Sequence, residues 1–224
     1  MIKQVNQLII LQMKFAPKTF HKLLSQALTE NHLVANPSQQ EKLIHYLNLL
    51  QTWNRVFNLT TITKLEDMVY LHIIDSLIVQ PHLQSLRYLD VGSGAGLPGI
   101  PLAIMHPEHH WVLLDKSSKK TRFMTQVVAE LKLSNVEVVH SRSDTFHPQH
   151  GFDSIVSRAF GSLHLLIEAT AHLLDRNGII LAMKGKFPQQ ELDDIPDDFV
   201  VENVIRLHLQ GTAVERHIVR IRRA

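Results

Sequence analysis

The stretch VGSGAGLPGIP, residues 91–101, places Gly92, Gly94, Gly96 and Gly99 within eight positions, directly behind the apolar run RYLD. A glycine-rich turn of this kind constrains the fold more than any other segment. Its residues adopt backbone angles closed to other side chains and let a ligand approach the main chain. If a strand enters it and a helix leaves it, the helix N-terminus adds free N–H groups and a partial positive charge. Pro98 suits that helix start because it loses no needed N–H. The next apolar run, WVLLD, ends on Asp115, 21 residues past Gly94. A carboxylate at that distance can accept both hydroxyls of a ribose. Two cofactor classes fit. Gly94-x-Gly96-x-x-Gly99 is a dinucleotide spacing, whereas Gly92-x-Gly94-x-Gly96 suits S-adenosylmethionine, which brings a sulfonium and no phosphate.

The rest of the chain supplies the setting. RYLDV, WVLLD, VEVVH, DSIVSRA and GIILAMKG read as strands buried on both faces and therefore parallel. Helical patterns over Pro101–Met105, Ser118–Leu131 and Leu163–Leu174 alternate with them, which predicts a doubly wound α/β sheet. VVENVIRLHL and ERHIVRIRR, joined by QGTAV, predict a terminal antiparallel hairpin. Before residue 83 the texture is helical. Pro17 opens one helix with Phe20, Leu23, Leu24, Ala27 and Leu28 on a face. Ser38 and Glu41 form an S-x-x-E capping box for a second, and a third covers Leu65 to Val79. Residues 1–82 read as a helical N-terminal segment packed on the sheet, with 1–12 a tail and Met13 an alternative start, and residues 83–224 as the catalytic domain. The bland role of the helices is a cap on one sheet face; their functional role is a wall of a substrate groove.

Among 224 residues there is no cysteine, which excludes disulfides, thiolate metal sites and a cysteine nucleophile and fits a reducing cytoplasm. No apolar run reaches the roughly 20 residues of a membrane helix. Net charge is +2, so any polyanion partner must be met by local basic clusters. These are Lys116, Lys119, Lys120 and Arg122, then Lys184 and Lys186, then Arg206, Arg216, Arg220, Arg222 and Arg223 on the hairpin against one acid, Glu215. Fifteen histidines include His106, His109 and His110 in one loop and His147 and His150 in another; they read as solvated, with no metal. Trp53, Phe123 and Phe160 could stack on bases, although their positions favour packing.

In order along the chain, WNRVFNLT, HIIDS, LDVGSGAGLPGIPL, LLDKSSKKTRF, SRSDTF, IVSRAF, MKG and ERH resemble the bacterial small-subunit rRNA methyltransferase G family, also called glucose-inhibited division protein B. The likeness runs from about residue 20 to 222. It implies a class I S-adenosylmethionine-dependent methyltransferase (Rossmann-like) with a seven-stranded sheet, a terminal antiparallel hairpin and a helical N-terminal extension. The implied reaction methylates N7 of guanine 527 in the decoding-region loop of 16S rRNA, in a monomeric cytoplasmic enzyme whose partner is 16S rRNA or the small ribosomal subunit.

By that resemblance Gly92, Gly94, Gly96 and Leu97 lie against S-adenosylmethionine, Asp115 takes its ribose, and Ser143 and Asp144 sit where the adenine is read. Arg158 faces the cofactor and the target base. Arg142 joins it among the catalytic candidates, and Arg142, Lys184 and Arg216 are the RNA contacts. HIIDS is a brace for the glycine loop. Guanine N7 carries a free in-plane lone pair, so no general base is needed, and the histidines are not assigned that task. A nicotinamide oxidoreductase and a non-catalytic nucleotide sensor remain competing readings of the residues alone.

Overall fold

The structure is a computed structural model and describes residues 17–224; the tail expected over residues 1–12 and the start at Met13 lie outside the described residues. Helix α1 (Pro17–Glu30) opens on its proline and buries Phe20, Leu24, Ala27 and Leu28. Helix α2 (Pro37–Phe57) does carry a capping box, but two residues earlier than Ser38 and Glu41. Asn36 accepts the Gln39 N–H at 2.9 Å and donates its own N–H to Gln39 Oε1 at 2.9 Å. Pro37 sets this register, because a proline is tolerated in the first turn, where its missing N–H would be unpaired.

The third helical run is α3 (Leu65–Met68), a π-helical segment Val69–Ile74 and α4 (Asp75–Leu77). Wider turns of this sort gather at functional sites, and this one carries His72 and runs directly into Asp75.

From there strands and helices alternate: β1 (Arg87–Val91), α5 (Gly99–Met105), β2 (His110–Asp115), α6 (Ser118–Leu131), β3 (Val136–His140), β4 (Phe152–Arg158), α7 (Leu163–Thr170), β5 (Leu174–Lys184), α8 (Gln189–Leu192), β6 (Phe199–Leu207) and β7 (Arg216–Arg223). They form one seven-stranded sheet in the order β3-β2-β1-β4-β5-β7-β6. The first five strands pair in parallel, with Leu89 opposite both Val112 and Ile155. β7 runs antiparallel to β5 and β6, with Val219 between Ala182 and Val204. The hairpin therefore forms as expected, but its last strand is interior and its connection is residues 208–215. β3 is an edge strand and only half-buried, not buried on both faces.

Alternate residues of each strand serve two cores, as period-2 geometry requires. Tyr88, Trp111, Leu113, Leu181 and Ile218 pack with Phe20, Leu24, Tyr46 and Leu50 of α1 and α2. Leu89, Val112, Ile155, Ile180 and Val219 pack with Leu166 and Ile167 of α7. The helices before residue 83 thus share a core with one face of the sheet. Asn31 ties α1 to the hairpin loop through reciprocal bonds with Gln210 at 2.8 and 3.3 Å. Among the described residues no helix is long and apolar enough to cross a membrane.

Candidate active site

The strand order reverses between β1 and β4, and in open α/β sheets ligands bind at the carboxyl ends beside such a reversal. The glycine turn leaves β1 there. Gly92, Gly94 and Gly96 all have positive φ, at 68°, 62° and 86°, a region in which an L side chain is strained. Their neighbours hold the turn: Tyr46 of α2 donates its hydroxyl to the Ala95 carbonyl at 2.8 Å, and Ser93 Oγ donates to Asp90 O at 2.7 Å. One such brace comes from α2, while α4, which begins within HIIDS at Asp75, packs against α5, the helix that follows the turn.

Gly99 closes the turn by donating its N–H to the buried Asp90 carboxylate at 2.8 Å. A Cβ here would lie 2.7 Å from Asp90 Oδ2 and collide with Leu113. Gly99→Ala is therefore expected to cost about 1–3 kcal/mol as overpacking. Thermal unfolding followed by circular dichroism should show the loss, and an unchanged midpoint would contradict it.

A first cleft of about 480 Å³ opens beside the turn, lined among others by Gly92, Asp115, Lys120, Ser143, Asp144 and Phe160. Asp115 is the organiser. Its Oδ2 accepts the Gly94 N–H at 2.9 Å, its Oδ1 accepts the Ser117 N–H at 2.8 Å, and Lys120 Nζ stands 3.8 Å away. Each oxygen keeps a second lone pair. Phe160 faces Gly92 so closely that a Cβ there would come within 3.2 Å of its ring. Three expected members, Gly94, Gly96 and Leu97, do not line this cleft. Leu97 is 4% exposed and packs in the core, while Gly96 is required by Ile100, into which its Cβ would run. Phe123 is buried and packs at a tilt against Trp53, with ring centroids 5.7 Å apart.

Arg158, expected in the same pocket, belongs to a second cleft of about 440 Å³ with His72, Asp75, Lys184, Gly185 and Arg216. Asp75 is its centre and was missed in the sequence. Only 1% exposed, it takes Arg158 Nη1 at 3.1 Å and Arg216 Nε at 2.6 Å. HIIDS thus clamps two arginines. Lys184 does not point a free amine outward; it donates to the Gly161 carbonyl and to Glu191 Oε2 at 2.7 Å.

Burial, reinforced by the Arg158 charge, pushes the His72 imidazole down to about 4, and its Nε2 lies 3.1 Å from Thr60 Oγ1. A histidine neutral when folded but protonated when unfolded gives stability that is present above its unfolded pKa and is lost as pH falls towards the folded one. Burial pushes Asp90 up to about 7, with the opposite sign between about pH 4 and 7. The difference between wild type and His72→Asn isolates the histidine. It should shrink by up to about 1.4 kcal/mol per pH unit from pH 6.5 to 4 and stay flat above 6.5. Urea titrations at several pH values check this, and a flat difference over the acid window would refute it.

The basic groups are mostly paired. Arg142 and Asp144 grip each other, with Nη2–Oδ2 at 2.7 Å, so neither is free in the resting cleft. This pairing lowers the Asp144 carboxyl and raises the Arg142 guanidinium. Lys119 caps the Phe57 carbonyl at 2.9 Å. The hairpin has more acid than the expected Glu215: Glu202 takes both Arg220 and Arg222, at 2.6 and 2.9 Å, and Asp198 lies 3.9 Å from Arg223. Arg206 and Glu215 are 3.9 Å apart. At the amino end of β2, His106, Glu108 and His109 come together, but the two rings stack within 8° of parallel. One ion cannot lie in both ring planes in that arrangement.

Residues 39–219 match the family model described as rRNA small subunit methyltransferase G. The chain belongs to that family. A ribosomal RNA small subunit methyltransferase G of Pseudomonas syringae pv. syringae is 46% identical over 200 residues, covering 89% of this chain and 94% of that protein. The protein of that name from Escherichia fergusonii is 43% identical over 199 residues, covering 89% and 96%. Among solved structures, a SAM-dependent methyltransferase from Aquifex aeolicus aligns with a TM-score of 0.54 at 17% identity, over 69% of this chain and 92% of that one. Coclaurine N-methyltransferase aligns with a TM-score of 0.54 at 14% identity, over 92% and 78%. These two likenesses are of fold: the class I methyltransferase sheet with its antiparallel terminal strands. Membership of the methyltransferase G family removes the nicotinamide reading of the glycine spacing.

Proposed function

We propose that this member of the methyltransferase G family transfers a methyl group from S-adenosylmethionine to N7 of a guanine in the decoding-region loop of 16S rRNA, in the cytoplasm. The reading is carried by two clefts at one sheet edge, the first organised by Asp115 under a glycine turn and the second lined by arginines.

The first cleft suits the cofactor. Its volume lies in the range of small-ligand sites, and Asp115 keeps one lone pair on each oxygen for a ribose diol. Ser143 and Asp144 take the adenine edge, and Phe160 packs beside it. When bound, S-adenosylmethionine supplies an electrophilic methyl on a sulfonium. Gly92 contributes backbone where a side chain would crowd Phe160, and Gly94 holds the Asp115 carboxylate through its N–H.

The chain's task is then mainly to position the base, an effect worth up to ~7–11 kcal/mol in well-oriented reactions. Guanine N7 needs no deprotonation, so no general base is assigned. Neutral His72 stays hydrogen-bonded to Thr60. An arginine that reads the guanine must take O6 or a phosphate, because a donor on N7 would block the attack.

The test is transfer of labelled methyl from S-adenosylmethionine to small ribosomal subunits lacking the modification, followed by cleavage chemistry selective for N7-methylguanine. Label at one guanine of the decoding-region loop is expected. Cofactor binding without any label in rRNA would favour a sensor, and label on another atom or base would refute the N7 assignment.

A further inference from the structure

Arg158 at the end of β4 and Arg216 at the start of β7 hold opposite oxygens of one buried carboxylate, Asp75. Arg158 Nη1 also donates to the Leu71 carbonyl at 3.0 Å, and Arg216 Nη1 to the Glu215 carbonyl at 2.8 Å. The Nη2 groups of both arginines, and Nε of Arg158, have no hydrogen-bond partner among the described residues. Both side chains are 22% exposed and line the second cleft.

The local charges do not cancel. Two guanidinium groups face one carboxylate, Lys184 is neutralised by Glu191, and His72 is neutral. Among the groups that line the cleft one positive charge remains, carried by planar donors that are already fixed in place. β7 stands three places from β1 in the sheet order, about 14 Å at ~4.8 Å per strand. Arg216 is thus displaced from the glycine turn towards the hairpin side, while Arg158 ends β4, the strand next to β1.

We propose that the second cleft is an oxyanion site for an RNA phosphodiester, in which Asp75 holds Arg158 and Arg216 as a two-guanidinium clamp beside the target nucleotide. The proposal rests on the rRNA methyl-transfer reading and deepens it. Guanidinium forks match phosphate oxygens in geometry and charge. Side chains pinned by a buried carboxylate lose little further rotamer freedom when the ligand arrives. Asp75 acts through the arginines and is a positioning residue; without it the two like charges would drive each other apart.

The experiment measures methyl transfer by wild type, Arg216→Gln and Arg216→Lys, with KM for unmodified small subunits and for S-adenosylmethionine at several potassium chloride concentrations. For Arg216→Gln the subunit KM should rise about tenfold or more, the loss of one charged hydrogen bond. The cofactor KM should stay within about twofold. The slope of log KM against log salt should fall by about 0.7–0.9, the signature of one phosphate contact. Arg216→Lys keeps the charge, so the slope should hold while KM rises because the planar fork is lost.

A rise in cofactor KM instead would assign the anion to the cofactor's own carboxylate and overturn the proposal, as would an unchanged salt slope in Arg216→Gln. Melting curves establish that both variants fold. If only Arg216→Lys folds, an unchanged subunit KM in that variant overturns the proposal. A wild-type chain that methylates no rRNA removes the underlying reading and this one with it. Normal wild-type transfer with unaltered variants removes this one alone.

Discussion

Asp75→Ala is expected to unfold the chain more easily by about 3–5 kcal/mol, the range for removing one partner of a buried ion pair. The carboxylate is 1% exposed and is the shared acceptor of Arg158 and Arg216. Its removal leaves two guanidinium groups facing each other across a cavity. Each arginine is 22% exposed, so water relieves part of the penalty and the loss should fall towards the lower end. At roughly 2–4 °C per kcal/mol for a chain of this size, the midpoint should drop by about 6–12 °C. Urea unfolding with an unchanged m-value is the direct measurement. A loss below about 1 kcal/mol would mean that the triad is held by its surroundings and that Asp75 is dispensable.

Asp115→Ala should weaken S-adenosylmethionine binding by about 100-fold or more. Hydrogen bonds to a charged group are worth about 1.5–3 kcal/mol each, and this carboxylate is assigned both ribose hydroxyls. It also accepts the Gly94 and Ser117 N–H groups, so the alanine frees the turn at two points as well. Asp115→Asn retains one acceptor oxygen and should fall between the two. Calorimetric titration of the cofactor into each variant checks the order. An affinity within threefold of wild type for the alanine variant would show that the ribose is held elsewhere.

The sheet was legible in the sequence because its parallel strands, β3 apart, are buried on both faces and so appear as unbroken apolar runs of the kind WVLLD. The Gly94–Asp115 pairing was legible for a related reason: Asp115 ends β2 and Gly94 lies in the turn leaving the neighbouring β1, so their separation is set by one strand–helix–strand repeat. What escaped depends on distant parts of the chain. Asp75 meets partners 83 and 141 residues further on, and nothing in HIIDS says that an arginine from each of two strands will converge on it. Glu202 escaped because its partners sit on the antiparallel strand, so counting charges along the last segment suggested a basic face opposed by Glu215 alone. The capping box of α2 was misplaced because two polar pairs three residues apart compete there, and Pro37 favours Asn36 with Gln39.

β7 enters the sheet last but lies between β5 and β6. During synthesis a growing chain can assemble the glycine turn, Asp115 and Arg158 and still have no Arg216 to give Asp75. Premature termination a few codons before residue 216 would also leave two neighbouring strands with open edges, which invite pairing with other chains. Under the proposed reading, the two-arginine clamp is complete only once β7 has paired between β5 and β6.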